Sequence, residues 1–285
     1  MLNKSMKILL IGCGNFGKHY LRILKESGHL YGVVVKSDKS ALRISKEHDV
    51  KVFTQISLDI LQEIDGVMVV TPSNTHKELI EEVLPYVPVF CEKPLALNSK
   101  DINDIIRLET DTGNKLMVGH IYRFNNVVKE IKKIISNDKP KEIVIRFLGG
   151  SKNNCGVMHE FMHGFDIMLN LFDKYELIDR ALKLDNGGDA EYVKLKFNCN
   201  GIICVIELGW ESESKVRDLS LIYEDKKIKC DLVKQTINGD NYFVEPLKLE
   251  IRRFIDILKG EDLYYPDTTL TNDIQKIIDD IGKYT

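Results

Sequence analysis

The stretch ILLIGCGNFGKHYLRILKE, residues 8–26, determines the fold of the first half of the chain. An apolar run of strand character is followed at once by the pattern Gly-x-Gly-x-x-Gly, residues 12–17, and then by a segment of helical period. In this context the first glycine permits a tight turn, the second lets the backbone approach a pyrophosphate, and the third lets the helix pack on the strand. The alternative is an ordinary strand-to-helix turn. The stretch predicts a dinucleotide site with the phosphates at the helix N-terminus, formed by Gly12, Gly14, Asn15, Phe16 and Gly17.

The end of the second predicted strand bears on the type of dinucleotide. An acid about 20 residues beyond the glycine turn normally binds the adenosine ribose. Here Val35 takes the expected place of that acid, Lys36 and Ser37 follow it, and the first carboxylate is Asp38. A lysine and a serine without the acid suit a 2′-phosphate, which favours NADP over NAD. A solvated loop with Asp38 displaced by a residue or two is the alternative, so both cofactors stay open.

Short apolar runs alternate with helical segments throughout the first half. Alternation of this kind implies a parallel sheet wound with helices on both faces. The chain has 285 residues, and single cores stop growing near about 250 residues, so two domains are expected. We predict a dinucleotide-binding Rossmann domain at residues 1–122 and a second domain at residues 123–285. The predicted strands of the first domain are Met6–Ile11, Tyr31–Val35, Gly66–Thr71, Val87–Cys91 and Lys115–Val118.

The pattern changes in the second half to longer strands with a period of two. Turns at residues 200–201 and 224–225 join several of them as hairpins. We therefore predict an α+β domain with a largely antiparallel sheet, packed on one face by helices at residues 157–172 and 247–258. The predicted strands are Glu142–Leu148, Glu191–Phe197, Ile202–Trp210, Asp218–Tyr223 and Lys226–Asp231.

Composition narrows the class of protein. Apolar residues make up 44% and charged residues 29% of the chain, which is ordinary for a soluble globular protein, and a formal charge of −3 makes a nucleic acid an unlikely partner. The longest early apolar run, residues 8–11, is too short for a signal peptide or a membrane span. Six scattered cysteines without a Cys-x-x-Cys pair suggest reduced thiols. These features predict a cytoplasmic protein.

Three further stretches end predicted strands or close the first domain: TPSNTH at 71–76, CEKP at 91–94 and GHIYRFNN at 119–126. The first two lie at the carboxyl edge of the sheet, where open α/β sheets bind ligands. Together with GCGNFGKHY at 12–20, these motifs resemble the Gfo/Idh/MocA family of sugar and cyclitol oxidoreductases. The resemblance is close over about the first 125 residues, by motif context, and looser beyond.

The resemblance implies roles for particular residues. It implies that Glu92 and Lys93 reach the nicotinamide ribose and that Lys93 touches the reacting hydroxyl, where an ammonium can stabilise a developing alkoxide. Taken alone, Lys93 would more often be a surface lysine before a proline, and Arg123 has a structural ion pair as its equal alternative. The residues implied to border the cofactor are Thr71, Pro72, Asn74 and His76, and those implied to bind substrate are Lys93, Tyr122, Arg123, Asn125 and His163.

The stretch VMHEFMHGFDIM, residues 157–168, contains His-Glu-x-x-His, the signature of zinc metalloproteases. One continuous helix would place His159, His163 and Asp166 on a single face. A convincing third zinc ligand is missing, because Asp166 would rise about 10 Å along the axis from His159. We therefore expect no metal, and retain the zinc protease only as a minor alternative.

The family resemblance gives this helix another meaning. It implies that His163 accepts or relays the proton of the reacting hydroxyl, with His159 or Glu160 as its partner and Asp166 more structural. A core histidine bound to backbone is the alternative for His163.

The sequence thus predicts an NAD(P)-dependent enzyme that transfers hydride between nicotinamide and a secondary hydroxyl or keto carbon of a sugar, sugar nucleotide or cyclitol. Lys93 and His163 are expected to converge on the reacting oxygen. The resemblance further implies a homodimer or homotetramer formed through the C-terminal sheet. A cofactor-binding sensor or regulatory protein without catalysis is the alternative.

Overall fold

The structure is a computed structural model, which describes residues 5–150, 152, 155–210, 212, 214–261 and 263–282. The backbone divides into two compact units. Unit 1 comprises the chain up to Gly119 together with Leu247–Asp273, and unit 2 comprises His120–Pro246 and the chain from Ile274 onward. Within the described residues, no helix combines the length and the apolarity needed to cross a membrane.

Unit 1 alternates strands and helices from its first element. A short 3₁₀ turn, Ser73–Thr75, precedes the fourth helix. The elements are β1 Ile8–Ile11, α1 Gly17–Glu26, β2 Leu30–Val34, α2 Asp38–His48, β3 Val52–Phe53, α3 Leu58–Glu63, β4 Gly66–Val69, α4 His76–Val83, β5 Val89–Glu92, α5 Ser99–Thr112, β6 Leu116–Gly119 and, late in the chain, α9 Pro246–Leu258.

The six strands of unit 1 form one parallel sheet in the order β3-β2-β1-β4-β5-β6. Every residue of β1, β4, β5 and β6 is buried, as expected for strands covered by helices on both faces. The strand order reverses between β1 and β4, and ligands of open α/β sheets bind outside the carboxyl ends of strands at such a point. The predicted Rossmann fold is confirmed.

The position of α9 differs from the prediction, which packed a helix at residues 247–258 on the second sheet. The structure groups Leu247–Asp273 with unit 1. Phe254 of this helix lies edge-on to Phe90 of β5, with ring centroids 6.0 Å apart. An added Cβ at Gly66 would lie 2.9 Å from Cδ2 of Leu258, so this helix packs closely on β4. The apolar face of α9 fits either sheet by periodicity, and only tertiary packing decides between them.

Unit 2 begins with a 3₁₀ turn, Ile121–Phe124, and then builds a sheet with helices. Its elements are α6 Asn126–Asn137, β7 Glu142–Leu148, α7 Gly156–Glu160, α8 His163–Leu171, β8 Glu176–Leu184, β9 Ala190–Cys199, β10 Ile202–Gly209, β11 Val216–Ile222, β12 Lys227–Asp231, β13 Thr236–Ile237 and β14 Asp240–Asn241. Helix α10, Thr268–Gly282, contributes its residues from Ile274 onward.

The eight strands of unit 2 run in the order β14-β13-β12-β11-β7-β10-β9-β8. All pairs are antiparallel except β7 with β10, which is parallel. The predicted antiparallel character of the sheet is confirmed, as are the hairpins at residues 200–201 and 224–225. Strand β8 is not among the predicted strands, because this edge strand is mostly exposed and has no alternation of buried and exposed residues.

The predicted single helix at residues 157–172 is wrong, because the structure breaks it into α7 and α8. The chain leaves the helix at Phe161, with φ −103° and ψ 23°, and re-enters it after Met162. Both of these side chains are 2% exposed. Gly164 then lies so close to β10 that an added Cβ would be 3.0 Å from Ile206. The break thus buries two large apolar side chains and brings α8 onto the sheet.

Candidate functional site

The glycine turn of unit 1 has the geometry that its spacing predicts. Gly12 has φ +96°, and a Cβ there would lie 2.3 Å from the carbonyl oxygen of Val70. A Cβ at Gly17 would lie 2.5 Å from the carbonyl oxygen of Gly12, so the helix can approach the strand only with glycine at this place. An added Cβ at Gly14 meets nothing within 4 Å. The turn is therefore closed towards the sheet at its ends and open to solvent at its centre.

The N-terminus of α1 lies directly behind this turn. Phe16 is the N-cap residue, its side chain accepts no capping hydrogen bond, and the first turn carries no acidic residue. The first N–H groups of a helix lack intrahelical partners and carry partial positive charge. Glycine at position 14 leaves open space in front of a ten-residue helix whose N-terminus has no side-chain cap. This space fits the pyrophosphate of a dinucleotide.

The residues after β2 meet the adenosine end of such a ligand in folds of this kind. Val35 is buried, whereas Lys36, Ser37 and Asp38 are exposed. The Ser37 hydroxyl caps α2 by accepting a hydrogen bond from the backbone N–H of Ser40 at 3.3 Å. No carboxylate therefore stands at the end of the strand, and Asp38 lies in the first turn of α2.

His76 links the two loops that carry the family motifs. It is 1% exposed. Its Nδ1 lies 2.8 Å from the carbonyl oxygen of Pro94, and its Nε2 lies 2.9 Å from the carbonyl oxygen of Thr71. Burial lowers the pKa of His76 more than these two contacts raise it. His76 thus joins the loop after β4 to the loop after β5, while Pro72 and Asn74 are exposed at the edge of the sheet.

Glu92 and Lys93 end β5 at the same edge. The backbone N–H of Lys93 donates to Oε2 of Glu92 at 3.0 Å, and the Lys93–Pro94 peptide bond is cis. The hydroxyl of Tyr20, on α1, donates to Oε1 of the same carboxyl group. Burial raises the pKa of Glu92, against the smaller opposing effects of Tyr20 and Lys93. Lys93 is half-buried, so part of the residue remains accessible to solvent.

His163 of unit 2 lies among aromatic rings. Its ring centroid is 4.8 Å from that of Tyr122 and 5.9 Å from that of Phe147. Burial raises the pKa of Tyr122 to about 12, so its hydroxyl stays protonated at neutral pH. The guanidinium of Arg217 lies over the ring of Phe147, 5.4 Å from its centroid. His163 is half-buried at the first residue of α8.

Arg123 and Asp166 form a buried ion pair within unit 2. Nε of Arg123 donates to Oδ1 of Asp166 at 2.6 Å, and the side chains are 9% and 0% exposed. Nδ1 of His120 lies 3.8 Å from the other oxygen of Asp166. The structural alternative stated for Arg123 is therefore the one that this geometry favours, since the pair fastens the 3₁₀ turn to α8.

Asn125 also has a structural position. Its Oδ1 accepts from the backbone N–H of Val127 at the start of α6, and its Nδ2 donates to the carbonyl oxygen of Leu232, each at 2.9 Å. Because the side chain is 2% exposed and both ends of its amide bind backbone, it fixes the entry to α6. The family resemblance had implied a different role for Asn125, a direct contact with substrate.

The histidine motif does not form the arrangement that a zinc protease needs. The helix break lies between Glu160 and His163, and His159 Nε2 lies 3.1 Å from Oε1 of Gln275 on α10. The carboxylate of Glu160 lies 3.8 Å from the thiol of Cys155. Over the residues with described positions, no group of three or more His, Cys, Asp or Glu side chains could hold a metal ion.

Sequence reasoning missed several residues around these sites. Tyr20 lies three residues after the glycine turn. Its position on the predicted helix was the one signal in the sequence that its side chain could reach β5. Glu250 and Phe147 gave no local signal, since one is a charged residue in an amphipathic helix and the other an inward residue of a strand. His120 belongs to the stretch GHIYRFNN, residues 119–126. Its burial beside Asp166 follows from the tertiary structure alone.

Residues 6–120 match the model of the Gfo/Idh/MocA family, described as an oxidoreductase family with an NAD-binding Rossmann fold. Residues 6–120 are therefore similar to the NAD-binding domain of this oxidoreductase family, and the predicted resemblance is confirmed.

Three relatives extend the comparison. The 2,7-anhydro-N-acetylneuraminate hydratase of Mediterraneibacter gnavus is 32% identical over 136 residues, which are 47% of this chain and 36% of that protein. Inositol 2-dehydrogenase of Rhizobium meliloti is 28% identical over 49% of this chain and 43% of its own length. UDP-N-acetylglucosamine 3-dehydrogenase of Acidithiobacillus ferrooxidans is 22% identical over 82% of this chain and 76% of its own length.

The structural similarity to known proteins extends well beyond residues 6–120. The solved structure of the Acidithiobacillus ferrooxidans dehydrogenase superposes with a TM-score of 0.84 at 20% identity, covering 97% of this chain and 96% of the other. This match establishes the fold of both units. The chain spans little more than a third of the length of the hydratase that it matches.

Proposed function

We propose that this protein is an NAD(P)-dependent oxidoreductase that transfers hydride between nicotinamide and a secondary hydroxyl or keto carbon of a sugar, sugar nucleotide or cyclitol. The observation that carries the proposal is the geometry of unit 1. An open glycine turn before an uncapped helix and the Glu92–Lys93 pair both lie at the carboxyl ends of strands of one parallel sheet. The names of two relatives, an inositol and a UDP-sugar dehydrogenase, support the substrate class.

Within this proposal Lys93 is the residue of unit 1 that serves the reacting hydroxyl. When bound, the nicotinamide supplies the hydride acceptor or donor. A lysine ammonium can donate a hydrogen bond to an oxygen on which negative charge develops, and such donors act most strongly where water is excluded. The adjoining Glu92 accepts the backbone N–H of Lys93 and thereby orients the start of its side chain.

His163 is the residue of unit 2 that we assign to proton transfer. Its imidazole has aromatic rings on two sides, which orient it by packing. An imidazole titrates near neutral pH and can accept a hydroxyl proton there. His159 and Glu160 were its predicted partners. His159 Nε2 also lies 3.1 Å from Oε1 of Gln275, and the Glu160 carboxylate lies 3.8 Å from the thiol of Cys155, so we assign the proton step to His163.

For the cofactor we propose a preference for NADP. An exposed lysine and serine follow β2, and no carboxylate stands at the end of that strand to bind a free ribose hydroxyl. A 2′-phosphate would find a cation in Lys36 and hydroxyl or backbone donors at Ser37. The Ser37 hydroxyl would keep its capping role while meeting such a phosphate.

We further propose that the protein forms a homo-oligomer through the second sheet and acts in the cytoplasm. Strand β7 buries every second residue, so its other face is only half-covered in a single chain. That face carries ion pairs such as Arg146 with Asp218, whose Nε–Oδ1 distance is 2.8 Å. Light scattering of the purified protein would read the number of subunits, and a monomer at micromolar concentration would contradict the oligomer.

The decisive experiment combines cofactor binding with product analysis. NADH and NADPH are titrated by fluorescence, and NAD⁺ and NADP⁺ are then crossed with inositols, hexoses and UDP-sugars. Reduction of the nicotinamide with at least one polyol is the expected result. Products are also weighed by mass spectrometry, because a relative carries the name of a hydratase and a reaction without net redox change would leave the absorbance constant. Tight cofactor binding with no product of either kind would favour a sensor over an enzyme.

A further inference from the structure

Three side chains from distant parts of the sequence form a buried polar cluster inside unit 1. Tyr20 comes from α1, Glu92 from the end of β5 and Glu250 from α9, and they are 0%, 7% and 0% exposed. The Tyr20 hydroxyl donates to Oε1 of Glu92, and Oε2 of Glu250 lies 3.5 Å from the same hydroxyl oxygen. A phenol thus stands between two carboxyl groups.

The phenol of Tyr20 lies within reach of both carboxyl groups. The phenol offers one proton, and that proton is directed at Glu92. Burying two carboxylates in an apolar interior is costly unless each is paired. Burial raises the pKa of Glu92, and burial together with the two neighbouring carboxyl groups raises the pKa of Tyr20 well above its ordinary value. The phenol therefore stays protonated and donates its hydrogen bond to Glu92.

The hydrogen bond from Tyr20 matters because Glu92 also contacts the proposed reacting residue, Lys93. Oε2 of Glu92 accepts the backbone N–H of Lys93 at 3.0 Å, so the two oxygens of one carboxyl group bind Tyr20 and Lys93. Gly119 leaves room for this carboxyl group, since a Cβ there would lie 3.1 Å from Oε2. A change in the ionisation or the rotamer of Glu92 would therefore alter its hydrogen bond with the backbone N–H of Lys93.

We propose that Tyr20 and Glu250 are positioning residues, which hold the Glu92 carboxylate against the Lys93 backbone and so set the orientation and charge environment of the Lys93 amine. Tyr20 stabilises the ionised form of Glu92 by donation. Glu250, whose Oε2 lies 3.5 Å from the same hydroxyl oxygen, competes for that donor. The proposal rests on the proposed function only where it treats Lys93 as the reacting lysine.

The test measures the chemical reactivity of Lys93 and needs neither substrate nor cofactor. The 285-residue protein is treated briefly with acetic anhydride over a range of pH, and the labelling rate of each lysine is read by peptide mass spectrometry. Lys100, whose side chain is 82% exposed, serves as the internal reference. The variants are Tyr20→Phe and Glu250→Gln. Tyr31→Phe is the matched control, because Tyr31 also donates to a glutamate, Glu63 at 2.6 Å, but at the surface.

The two variants are expected to act in opposite directions. Tyr20→Phe removes the donor that keeps Glu92 ionised, so the Lys93 amine loses a negative neighbour and should be labelled at least about threefold faster at fixed pH. Glu250→Gln removes the competing carboxyl group, so labelling of Lys93 should slow by about the same factor. Tyr31→Phe should leave Lys93 unchanged.

An unchanged rate in either variant removes that residue from the positioning network, and shifts of the same sign in both overturn the proposal, since general loosening would produce them. Circular dichroism checks that each variant is folded. Should Tyr20→Phe fail to fold, biosynthetic 3-fluorotyrosine makes the phenol a stronger donor and should slow labelling of Lys93, and no change would then overturn the proposal. Failure of the proposed function would appear separately, as absence of NADH and NADPH binding in the unsubstituted protein.

Discussion

At the scale of single residues, the first two glycines of the nucleotide turn are predicted to have different roles, Gly12 in folding and Gly14 in cofactor binding. Gly12 has positive φ and no room for a Cβ, whereas Gly14 has open space around it. Gly12→Ala is expected to lower the free energy of unfolding by about 2–4 kcal/mol, from the strained φ and the clash with Val70. Gly14→Ala should leave stability within about 0.5 kcal/mol and weaken NAD(P)H binding at least about tenfold. Urea titration and fluorescence titration measure the two quantities, and equal loss of stability in both variants would contradict the assignment.

Lys93 gives the second prediction at this scale. Lys93→Met preserves the length of the side chain and removes its charge, so it should abolish turnover, by at least about a thousandfold. The cofactor dissociation constant should stay within about threefold, since the phosphates bind at the glycine turn. Stopped assays and fluorescence titration on the same sample provide the two numbers. Loss of cofactor binding together with turnover would move Lys93 from catalysis to cofactor binding.

His76 predicts a dependence of stability on pH. Burial lowers the pKa of His76 below its ordinary value of 6.5, so the folded state favours the neutral ring. Its contribution to stability is complete above pH 6.5 and is lost as the pH falls toward the folded pKa, because the unfolded chain binds the proton first. His76→Gln removes this dependence and also costs about 1–3 kcal/mol in buried hydrogen bonds.

The measurement is the difference in unfolding free energy between the unsubstituted protein and His76→Gln at several pH values. The difference should shrink by up to about 1.4 kcal/mol between pH 7.5 and pH 5.5. A difference that grows on acidification would mean that the folded ring is charged, with both nitrogens donating to the carbonyl groups of Thr71 and Pro94.

At the scale of elements, the buried pair of Arg123 and Asp166 decides how α8 is anchored. Asp166→Asn would leave the guanidinium buried without its carboxylate, and should lower the free energy of unfolding by about 3–5 kcal/mol. The exposed pair of Arg22 with Glu26, on α1, is the comparison, because Glu26→Gln should change stability by less than about 0.5 kcal/mol. Similar values for the two substitutions would mean that the Asp166 pair contributes no more than a surface pair.

The same elements show which features a sequence can predict. The glycine turn, the hairpins and most strands follow from local spacing, because residues that contact one another there are neighbours along the chain. The break at Phe161 and Met162 does not, since a continuous helix satisfies the same apolar pattern and only the sheet beneath Gly164 makes the interruption favourable. The prediction that His159 and His163 share a face assumed one continuous helix, and the structure breaks that helix between them.

At the scale of the whole molecule, the contribution of α9 to unit 1 is the feature that the sequence conceals. Phe254 packs on Phe90, and Glu250 joins the cluster with Tyr20. A fragment ending at residue 125, which contains every nucleotide-binding motif, should therefore lack a fixed tertiary structure. Near-ultraviolet circular dichroism and binding of the dye ANS test this expectation, and a sharp cooperative unfolding transition of the fragment would contradict it.

The placement of α9 also has a consequence for how the polypeptide is made. The ribosome releases residues 1–119 long before Leu247–Leu258, and all of residues 120–246 emerge in between. Domains usually fold as units from the N-terminus during synthesis, but here the nascent nucleotide-binding segment can complete its packing only after a helix that begins at Pro246 has emerged. Until that helix arrives, the apolar surface around Gly66 and Phe90 is open to chaperones, and slow translation of the intervening stretch would lengthen this exposure.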